Sequence, residues 1–151
     1  MDTYRIALFG HRDFSAHCKM EKALCTILHQ LLRTHQSIEI YIGRHGEFDR
    51  FAASVIKRMQ RSLGKDTLEM ALILPYRNKD IEHYEKYYDT VFIPEVVESA
   101  HPKNAIILRN RFMVENCDLT VVYIEHKYGG AYKALQYAKR LGKQTINLEK
   151  I

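Results

Sequence analysis

The last third of the chain contains a strand pattern, then a glycine pair, then a helix pattern. Residues 119–124 form a near-continuous apolar run rich in β-branched side chains. Such a run is typical of a parallel strand that helices cover on both faces. After Gly129 and Gly130, apolar residues recur at helical spacing, at Ala131, Leu135, Ala138 and Leu141. These 23 residues therefore already favour an α/β fold over an all-α or all-β fold.

The same alternation of strand and helix patterns runs through the rest of the chain. We predict strands at 4–9, 38–42, 68–74, 90–94, 118–124 and 144–148. We predict helices at 20–35, 47–63, 103–115 and 131–141. The polar, tyrosine-rich residues 78–89 are expected to form a short helix or a loop, and residues 96–102 to be irregular. This order predicts a mainly parallel sheet of about five to six strands, with right-handed crossovers and helices on both faces.

Length and composition fit one domain that covers residues 1–151. No linker, repeat or low-complexity stretch divides the chain, and 46% of its residues are hydrophobic, which is enough for an ordinary core. No apolar run reaches membrane-spanning length, and the N-terminus passes directly into a strand. We therefore expect a cytoplasmic protein without a membrane partner. The odd number and irregular spacing of Cys18, Cys25 and Cys117 favour buried reduced thiols over disulfides or a zinc site.

The charged residues indicate the class of ligand. The formal net charge is +5, but lysine and arginine are scattered among acids and form no stripe. On this criterion we do not expect nucleic acid as a partner, and we expect a basic pocket for a small phosphorylated molecule. No pair of the eight histidines has metal-ligand spacing with a carboxylate partner, so we expect no metal and no cofactor.

Four polar or glycine-containing loops follow predicted strand ends. They comprise residues 10–12, 43–46, 75–77 and 125–130. Because ligands of open parallel sheets bind beyond the carboxyl ends of the strands, we expect these four loops to converge on one site.

The glycine pair is the strongest candidate for a phosphate contact. Gly129 and Gly130 stand between a strand and a helix, where glycine permits close approach and the helix start offers N–H groups to an anion. The alternative is a tight turn without a ligand. Arg12 suits bidentate recognition of an anion, although it also fits a solvated loop.

Several other candidate residues have either a structural or a ligand-binding interpretation. Glu47 and Asp49 lie in the first turn of a predicted helix, where they either complement its dipole or reach a ribose hydroxyl. Arg109 and Arg111 are two residues apart on a helix, so at most one faces a given pocket. Tyr76 either stacks on a base or caps the core.

Four motifs, taken in order, resemble the SLOG superfamily, which is named for its Smf/DprA and LOG groups. Residues 6–12 resemble its "FTGHR" opening, and residues 43–49 its glycine turn before the second helix. Residues 107–114 resemble its "RNRYMV" helix, and residues 129–132 its "PGGTAY" phosphate turn. The resemblance covers nearly the whole chain and is nearest to a small bacterial or phage-type subfamily of unknown function. It implies a Rossmann-like fold and a nucleotide or nucleotide-derived ligand.

The patterns and the resemblance together define a set of expected ligand-binding residues. These are Gly10, His11, Arg12, Gly43, Arg44, Gly46, Glu47, Tyr76, Arg109, Asn110, Arg111, Gly129, Gly130, Ala131 and Tyr132.

The resemblance also bears on catalysis. The phosphoribohydrolase members carry an acid in the helix after the glycine turn, as in "PGGxGTxxE", whereas this chain has Lys133 and Gln136 in that helix. We therefore expect a ligand-binding sensor or accessory module more than an enzyme. One alternative is an N-glycosidase for nucleoside monophosphates with Glu47 or Glu125 as its acid. A further alternative is a protein associated with DNA processing.

A homodimer is also expected. Relatives of this fold often pair, and the chain has a tyrosine-rich segment at 84–88 followed by apolar residues at 91–97. Aromatic residues are enriched in the cores of protein interfaces.

Overall fold

The computed structural model describes residues 3–151 and contains a six-stranded parallel sheet with the order β4-β3-β2-β1-β5-β6. The strands are β1 (Thr3–Gly10), β2 (Ser37–Ile42), β3 (Leu68–Ile73), β4 (Thr90–Phe92), β5 (Leu119–Tyr123) and β6 (Gln144–Asn147). The helices are α1 (His17–Leu31), α2 (Glu47–Leu63), α3 (Ile81–Tyr87), α4 (Glu95–Glu98), α5 (Pro102–Glu115) and α6 (Gly130–Arg140), followed by a 3-10 turn at Leu148–Lys150. The prediction of an α/β fold with a parallel sheet is confirmed.

Helices cover both faces of the sheet, so there are two apolar layers. Helices α1 and α2 pack on one face, where Leu24 and Phe48 are almost completely buried. Helices α5 and α6 pack on the other face through residues such as Met113 and Ala134. The central strands are buried on both sides, which explains why β5 is a near-continuous apolar run.

The strand order reverses beside β1. From β1 the chain adds β2, β3 and β4 in one direction, and α5 then leads back to β5 on the other side of β1. Gly10, the last residue of β1, is in register with Tyr123, the last residue of β5. The carboxyl ends of β1 and β5 therefore flank the point where a doubly wound sheet opens a crevice.

Several element boundaries differ from the sequence prediction by one to four residues, and the largest difference is at the end of α1. Helix α1 ends at Leu31 because the polar residues after it form tight turns, in which the amides of Thr34 and His35 both donate to the Leu31 carbonyl. The segment expected to be irregular contains a helical turn, α4, which begins after Pro94 and buries Val97.

The cysteines are free in the structure, but they differ in exposure. Cys117 is buried and Cys25 is half-buried, whereas Cys18 is exposed. The prediction of three buried thiols is thus wrong for Cys18, because α1 turns Met20, Ala23 and its later apolar residues toward the sheet instead. Within residues 3–151, no helix is long and apolar enough to cross a membrane.

Candidate functional site

A cavity of about 450 Å³ lies at the carboxyl ends of β1 and β2, and we call it the main cavity. Its walls come from the loops that follow β1, β2 and β5, from the first turns of α2 and α6, and from α5. Its lining residues are Leu8, Phe9, Gly10, His11, Arg12, Asp13, Gly43, His45, Gly46, Asp49, Ile106, Arg109, Asn110, Met113, His126, Tyr128, Gly129, Gly130 and Ala131.

The glycine pair forms an open wall of this cavity. Gly129 has φ +94°, a left-handed conformation that side chains other than glycine's rarely adopt. A Cβ built on Gly130 meets nothing closer than the amide nitrogen of Asn110, at 3.8 Å. The first hydrogen bond of α6 runs from the Lys133 N–H to the Gly129 carbonyl, so the amides that precede Lys133 have no partner inside the helix. This wall is thus open to an acceptor such as a phosphate oxygen.

Three other glycines of the cavity are needed for packing. A Cβ on Gly10 would lie 2.0 Å from Cγ of Phe48, and a Cβ on Gly46 would lie 2.6 Å from the Cα of Arg12. A Cβ on Gly43 would lie 2.8 Å from Nη1 of Arg109. These residues line the cavity, but the space left by their missing side chains is occupied by other parts of the protein.

Arg109 is a buried cation at the floor of the main cavity. Its side chain is held by two hydrogen bonds, from Nη1 to the Ile73 carbonyl at 2.8 Å and from Nε to Oδ1 of Asn110 at 2.8 Å. Burial lowers the pKa of Arg109, and the nearby Asp49 carboxylate opposes that shift. The guanidinium is thereby fixed in position and contributes positive charge to the cavity.

Asp49 and Asp13 are the two carboxylates among the lining residues of the cavity, and Asp13 is exposed. Asp49 is held in place by the loop after β2. Its Oδ2 accepts a hydrogen bond from the backbone N–H of His45 at 3.2 Å. Burial raises the pKa of Asp49 to about 6, although Arg109 and the hydrogen bond from His45 act in the opposite direction. Asp49 therefore exchanges a proton close to neutral pH, as groups in functional sites often do.

His45 stays neutral at physiological pH. Burial, and then the charges of Arg109 and Arg12, lower its pKa to about 4. Its Nε2 is buried and has no hydrogen-bond partner among residues 3–151. Since buried polar atoms are nearly always paired, this nitrogen is available to a bound molecule.

Three rings stack along one side of the main cavity. The His11 and His126 rings are 3.5 Å apart at 15°, and the His126 and Tyr128 rings are 3.8 Å apart at 16°. Nε2 of His11 accepts the backbone N–H of Glu125 at 3.1 Å, which places the proton on Nδ1 when the ring is neutral. Burial, and then the adjacent His126, lower the pKa of His11.

The outer end of this stack faces solvent. Tyr128 is 68% exposed, so the face of its ring that His126 does not cover can receive another flat group. Nδ1 of His126 is buried and has no hydrogen-bond partner in the part of the chain that the structure describes. The main cavity thus offers an aromatic surface beside polar atoms that lack partners.

Most of the residues expected from the sequence meet in this cavity. The structure brings together Gly10, His11, Arg12, Gly43, Gly46, Arg109, Asn110, Gly129, Gly130 and Ala131. Of the two candidate arginines on α5, Arg109 faces the cavity. Arg111 lies outside it, with its guanidinium 5.2 Å from the centre of the Tyr137 ring.

Three further residues do not contact the main cavity. Arg44 donates to the Tyr88 hydroxyl at 3.2 Å and covers the Tyr84 ring, so it packs against α3. The hydroxyl of Tyr132 accepts a hydrogen bond from Gln136 along α6. Tyr76 is 46% exposed, so it does not cap the core, and its ring centre lies 6.0 Å from that of His45. The loop at 75–77 therefore does not join the other three, because β3 lies two strands away from the switch point.

The two candidate catalytic acids are also outside the cavity. Glu47 is exposed and its carboxylate lies 4.0 Å from His17, and the Glu125 side chain is exposed as well. Glu47 and Asp49 are two residues apart, and at 3.6 residues per turn they point to nearly opposite sides of α2. Of the two candidate acids on α2, Asp49 is therefore the one that lines the cavity.

Sequence reasoning missed several lining residues, including His45, His126, Tyr128 and Met113. The first three belong to loops that were predicted to form the site, at 43–46 and 125–130. Their position in those loops could have identified them. Their residue types could not, because histidine and tyrosine are common elsewhere in this chain.

No family model matches this chain, and no curated protein matches it. Among solved structures, the fold is similar to DNA processing protein A from Helicobacter pylori, whose structure describes a single-stranded DNA binding mode. The TM-score is 0.65 at 16% sequence identity, over 95% of this chain and 64% of the other. The chain thus spans a little under two thirds of the length of that protein. The similarity confirms the Rossmann-like α/β fold.

This neighbour comes from one of the two groups for which the SLOG superfamily is named. It also corrects one prediction. The expectation that nucleic acid is not a partner was wrong, because a protein with this fold binds single-stranded DNA. The scatter of basic residues along the sequence was a poor guide, since the fold brings together side chains that are distant in sequence, such as Arg111 and Arg140.

Proposed function

We propose that this protein binds a nucleotide or nucleotide-derived phosphorylated ligand in the main cavity, as a sensor or accessory module of the SLOG type. The observation that carries the proposal is the open wall at Gly129 and Gly130, which shares a cavity with Arg12 and the buried Arg109.

The phosphate would bind at this wall. The start of α6 offers backbone N–H groups and the positive end of the helix dipole. Arg12 is exposed in the same cavity and can donate two parallel hydrogen bonds to an anion. Arg109, which is held by its hydrogen bond to the Ile73 carbonyl, adds a fixed positive charge to the cavity.

The remainder of the ligand would use the aromatic side of the cavity. A base can stack on the open face of Tyr128, and stacking of this kind contributes roughly 1–3 kcal/mol per base. Nε2 of His45 and Nδ1 of His126 can pair with polar atoms of the base or sugar. Asp49 can accept a hydrogen bond from a ribose hydroxyl.

The test is nucleotide-dependent thermal stabilisation. We expect nucleoside phosphates to raise the melting temperature of the protein, and we expect Gly130→Val to remove this increase by blocking the phosphate wall. Gly130→Ala is the matched control, because its Cβ fits at 3.8 Å from Asn110, and it should retain part of the increase. Equal shifts in the wild type and Gly130→Val would refute the assignment.

Single-stranded DNA binding is the second candidate function. The observation that favours it is the fold shared with DNA processing protein A, which binds single-stranded DNA. The same phosphate wall and the same exposed ring would then hold one nucleotide of a longer strand. An oligothymidylate that binds at concentrations where mononucleotides do not would favour this candidate over the first.

A further inference from the structure

A second cavity of about 420 Å³ lies between α5 and α6, and we call it the α5–α6 groove. It is lined by side chains such as Ile107, Arg111, Lys133, Tyr137 and Arg140. It shares Ile106, Asn110, Gly129 and Gly130 with the main cavity. The two cavities therefore lie on either side of the glycine turn and meet there.

The α5–α6 groove is positively charged. Arg111, Lys133 and Arg140 are exposed, and no aspartate or glutamate is among its lining residues. None of these three cations forms an ion pair within residues 3–151. The guanidinium groups of Arg111 and Arg140 lie 5.2 Å and 5.6 Å from the centre of the Tyr137 ring, which holds both at the groove.

The groove is longer than a single phosphate group. Lys133 and Arg140 are seven residues apart on α6, which corresponds to about 10 Å along the helix axis. The exposed side chain of Ile107 adds an apolar contact on the α5 side. A cationic surface of this length, with an apolar contact beside it, suits an extended chain that carries regularly spaced anions and bases.

We propose that the α5–α6 groove binds the second nucleotide unit of an oligonucleotide whose first unit occupies the main cavity. The phosphodiester between the two units would cross the turn at Gly129 and Gly130. This inference rests on the proposed function of the main cavity. A free dinucleotide and a segment of single-stranded DNA share this chemistry, and the experiment below separates them.

The experiment compares the affinities of dTMP, the dinucleotide d(TpT) and a ten-nucleotide oligothymidylate by calorimetry. We expect d(TpT) to bind at least tenfold more tightly than dTMP. A double variant, Lys133→Ala with Arg140→Ala, should lose that gain and keep the affinity for dTMP. An oligothymidylate that binds more tightly than d(TpT) identifies a strand as the ligand, and equal affinities show that the site holds two nucleotide units only. The groove assignment holds in both cases.

The control removes the same charge elsewhere. Lys86→Ala with Lys139→Ala changes two exposed lysines that line neither cavity, and it should keep the gain from dTMP to d(TpT). The salt dependence gives a second readout. Removing two phosphate contacts should reduce the slope of log affinity against log salt by roughly 1.4 for the oligothymidylate, at roughly 0.7 per contact with a single strand.

Three results would overturn the groove assignment. The first is equal affinities of the wild type for dTMP and d(TpT). The second is an equal loss of affinity for both ligands in the double variant of Lys133 and Arg140. The third is a loss of the d(TpT) gain in the control variant as large as that in the double variant. If d(TpT) binds in a manner that depends on Lys133 and Arg140 while dTMP does not bind, the groove stands and the function proposed for the main cavity fails. If no ligand binds, both proposals fail.

Discussion

Single polar atoms distinguish the main cavity from the rest of the molecule. Nε2 of His45 and Nδ1 of His126 are buried side-chain atoms without a hydrogen-bond partner within residues 3–151, and both belong to lining residues. An unpaired buried polar group costs about 1–3 kcal/mol. A bound molecule that pairs with these nitrogens would remove part of that cost, which favours a ligand with polar edges over an apolar one.

The first prediction at this scale concerns Arg12. We expect Arg12→Ala to weaken nucleotide binding by roughly 1.5–3 kcal/mol, because it removes a hydrogen bond to a charged group. Calorimetry with the nucleotide that stabilises the wild type measures the effect. Arg44→Ala is the contrasting variant, since Arg44 packs on Tyr84 and Tyr88, and it should lower the melting temperature without a change in affinity. Unchanged affinity in Arg12→Ala would place Arg12 outside the binding site.

The second prediction concerns the charge of Asp49. Its pKa is raised from 3.8 to about 6 on folding. As pH rises, Asp49 therefore loses its proton in the unfolded chain before it does so in the folded protein. The free energy of unfolding consequently falls as pH rises from about 4 to 6. Asp49→Asn, which resembles the protonated form, should therefore stabilise the protein at pH 7 by about 1–3 kcal/mol.

Urea denaturation of both proteins at pH 4 and pH 7 measures this difference. His45 has the opposite pH dependence, because its pKa is lowered to about 4, but it is present in both proteins and cancels in the comparison. A stabilisation of the same size at pH 4 would show that the ionisation of Asp49 is not its cause.

The third prediction concerns catalysis. Lys133 lies in the α5–α6 groove and Gln136 bonds to Tyr132, so the helix after the glycine turn presents no acid to the main cavity. We expect no more than a trace of free base from nucleoside monophosphates in a chromatographic assay. Robust turnover that Asp49→Asn abolishes would identify an N-glycosidase and overturn the proposal of a binding protein.

At the scale of elements, the site depends on how closely α2 and α5 approach the strand ends. Phe48 of α2 occupies the space above Gly10, and Arg109 of α5 occupies the space above Gly43. The Glu47 N–H donates to the Arg12 carbonyl at 3.0 Å, which ties the loops after β1 and β2 together. The glycines of two loops thus allow the helices to bring Asp49 and Arg109 to one cavity.

The prediction at this scale concerns Gly43. We expect Gly43→Ala to lower the free energy of unfolding by about 1–3 kcal/mol, because its Cβ would lie 2.8 Å from the buried guanidinium of Arg109. Gly130→Ala is the matched control, since its Cβ has room, and it should cost far less. The measurement is urea denaturation of both variants. Equal stabilities would mean that Arg109 moves aside without a cost.

At the scale of the whole molecule, the strand order brings together the loops that line the main cavity. The loops after β1, β2 and β5 meet because these strands are neighbours in the sheet, and the loop after β3 is excluded by its distance from β5. Two side chains of the tyrosine-rich segment pack within the protein. Tyr84 and Tyr88 are buried and pack edge to face with ring centres 6.5 Å apart, so neither ring is available to a partner.

The homodimer remains a prediction. Of the apolar segment at 91–97, Val96 is 55% exposed and Val97 is buried, so Val96 is the residue through which this segment would pair. We expect light scattering to report about twice the chain mass of 17.8 kDa, and Val96→Asp to reduce it to one chain mass. A single chain mass for the wild type at micromolar concentration would rule out the dimer.

Local patterns in the sequence were enough to predict most of the elements and the edge of the sheet at which the candidate site lies. Helix α2 runs from Glu47 to Leu63 as predicted, because its apolar stripe has a clear helical period and Gly64 ends it with φ +89°. The loops after β1, β2 and β5 were likewise recognisable from their glycines and polar residues. Periodicity and turn chemistry are local properties, and a sequence contains them in full.

Which side chains of those elements share a cavity was set by the packing of helices on the sheet. It selected Asp49 over Glu47 and Arg109 over Arg111, turned Arg44 toward α3, and assembled Arg111, Lys133 and Arg140 into one groove. Each outcome depends on the direction in which a helix faces the sheet and on which strands are neighbours. These relations form between residues that are distant in the chain, so they exist only once the two apolar layers have packed.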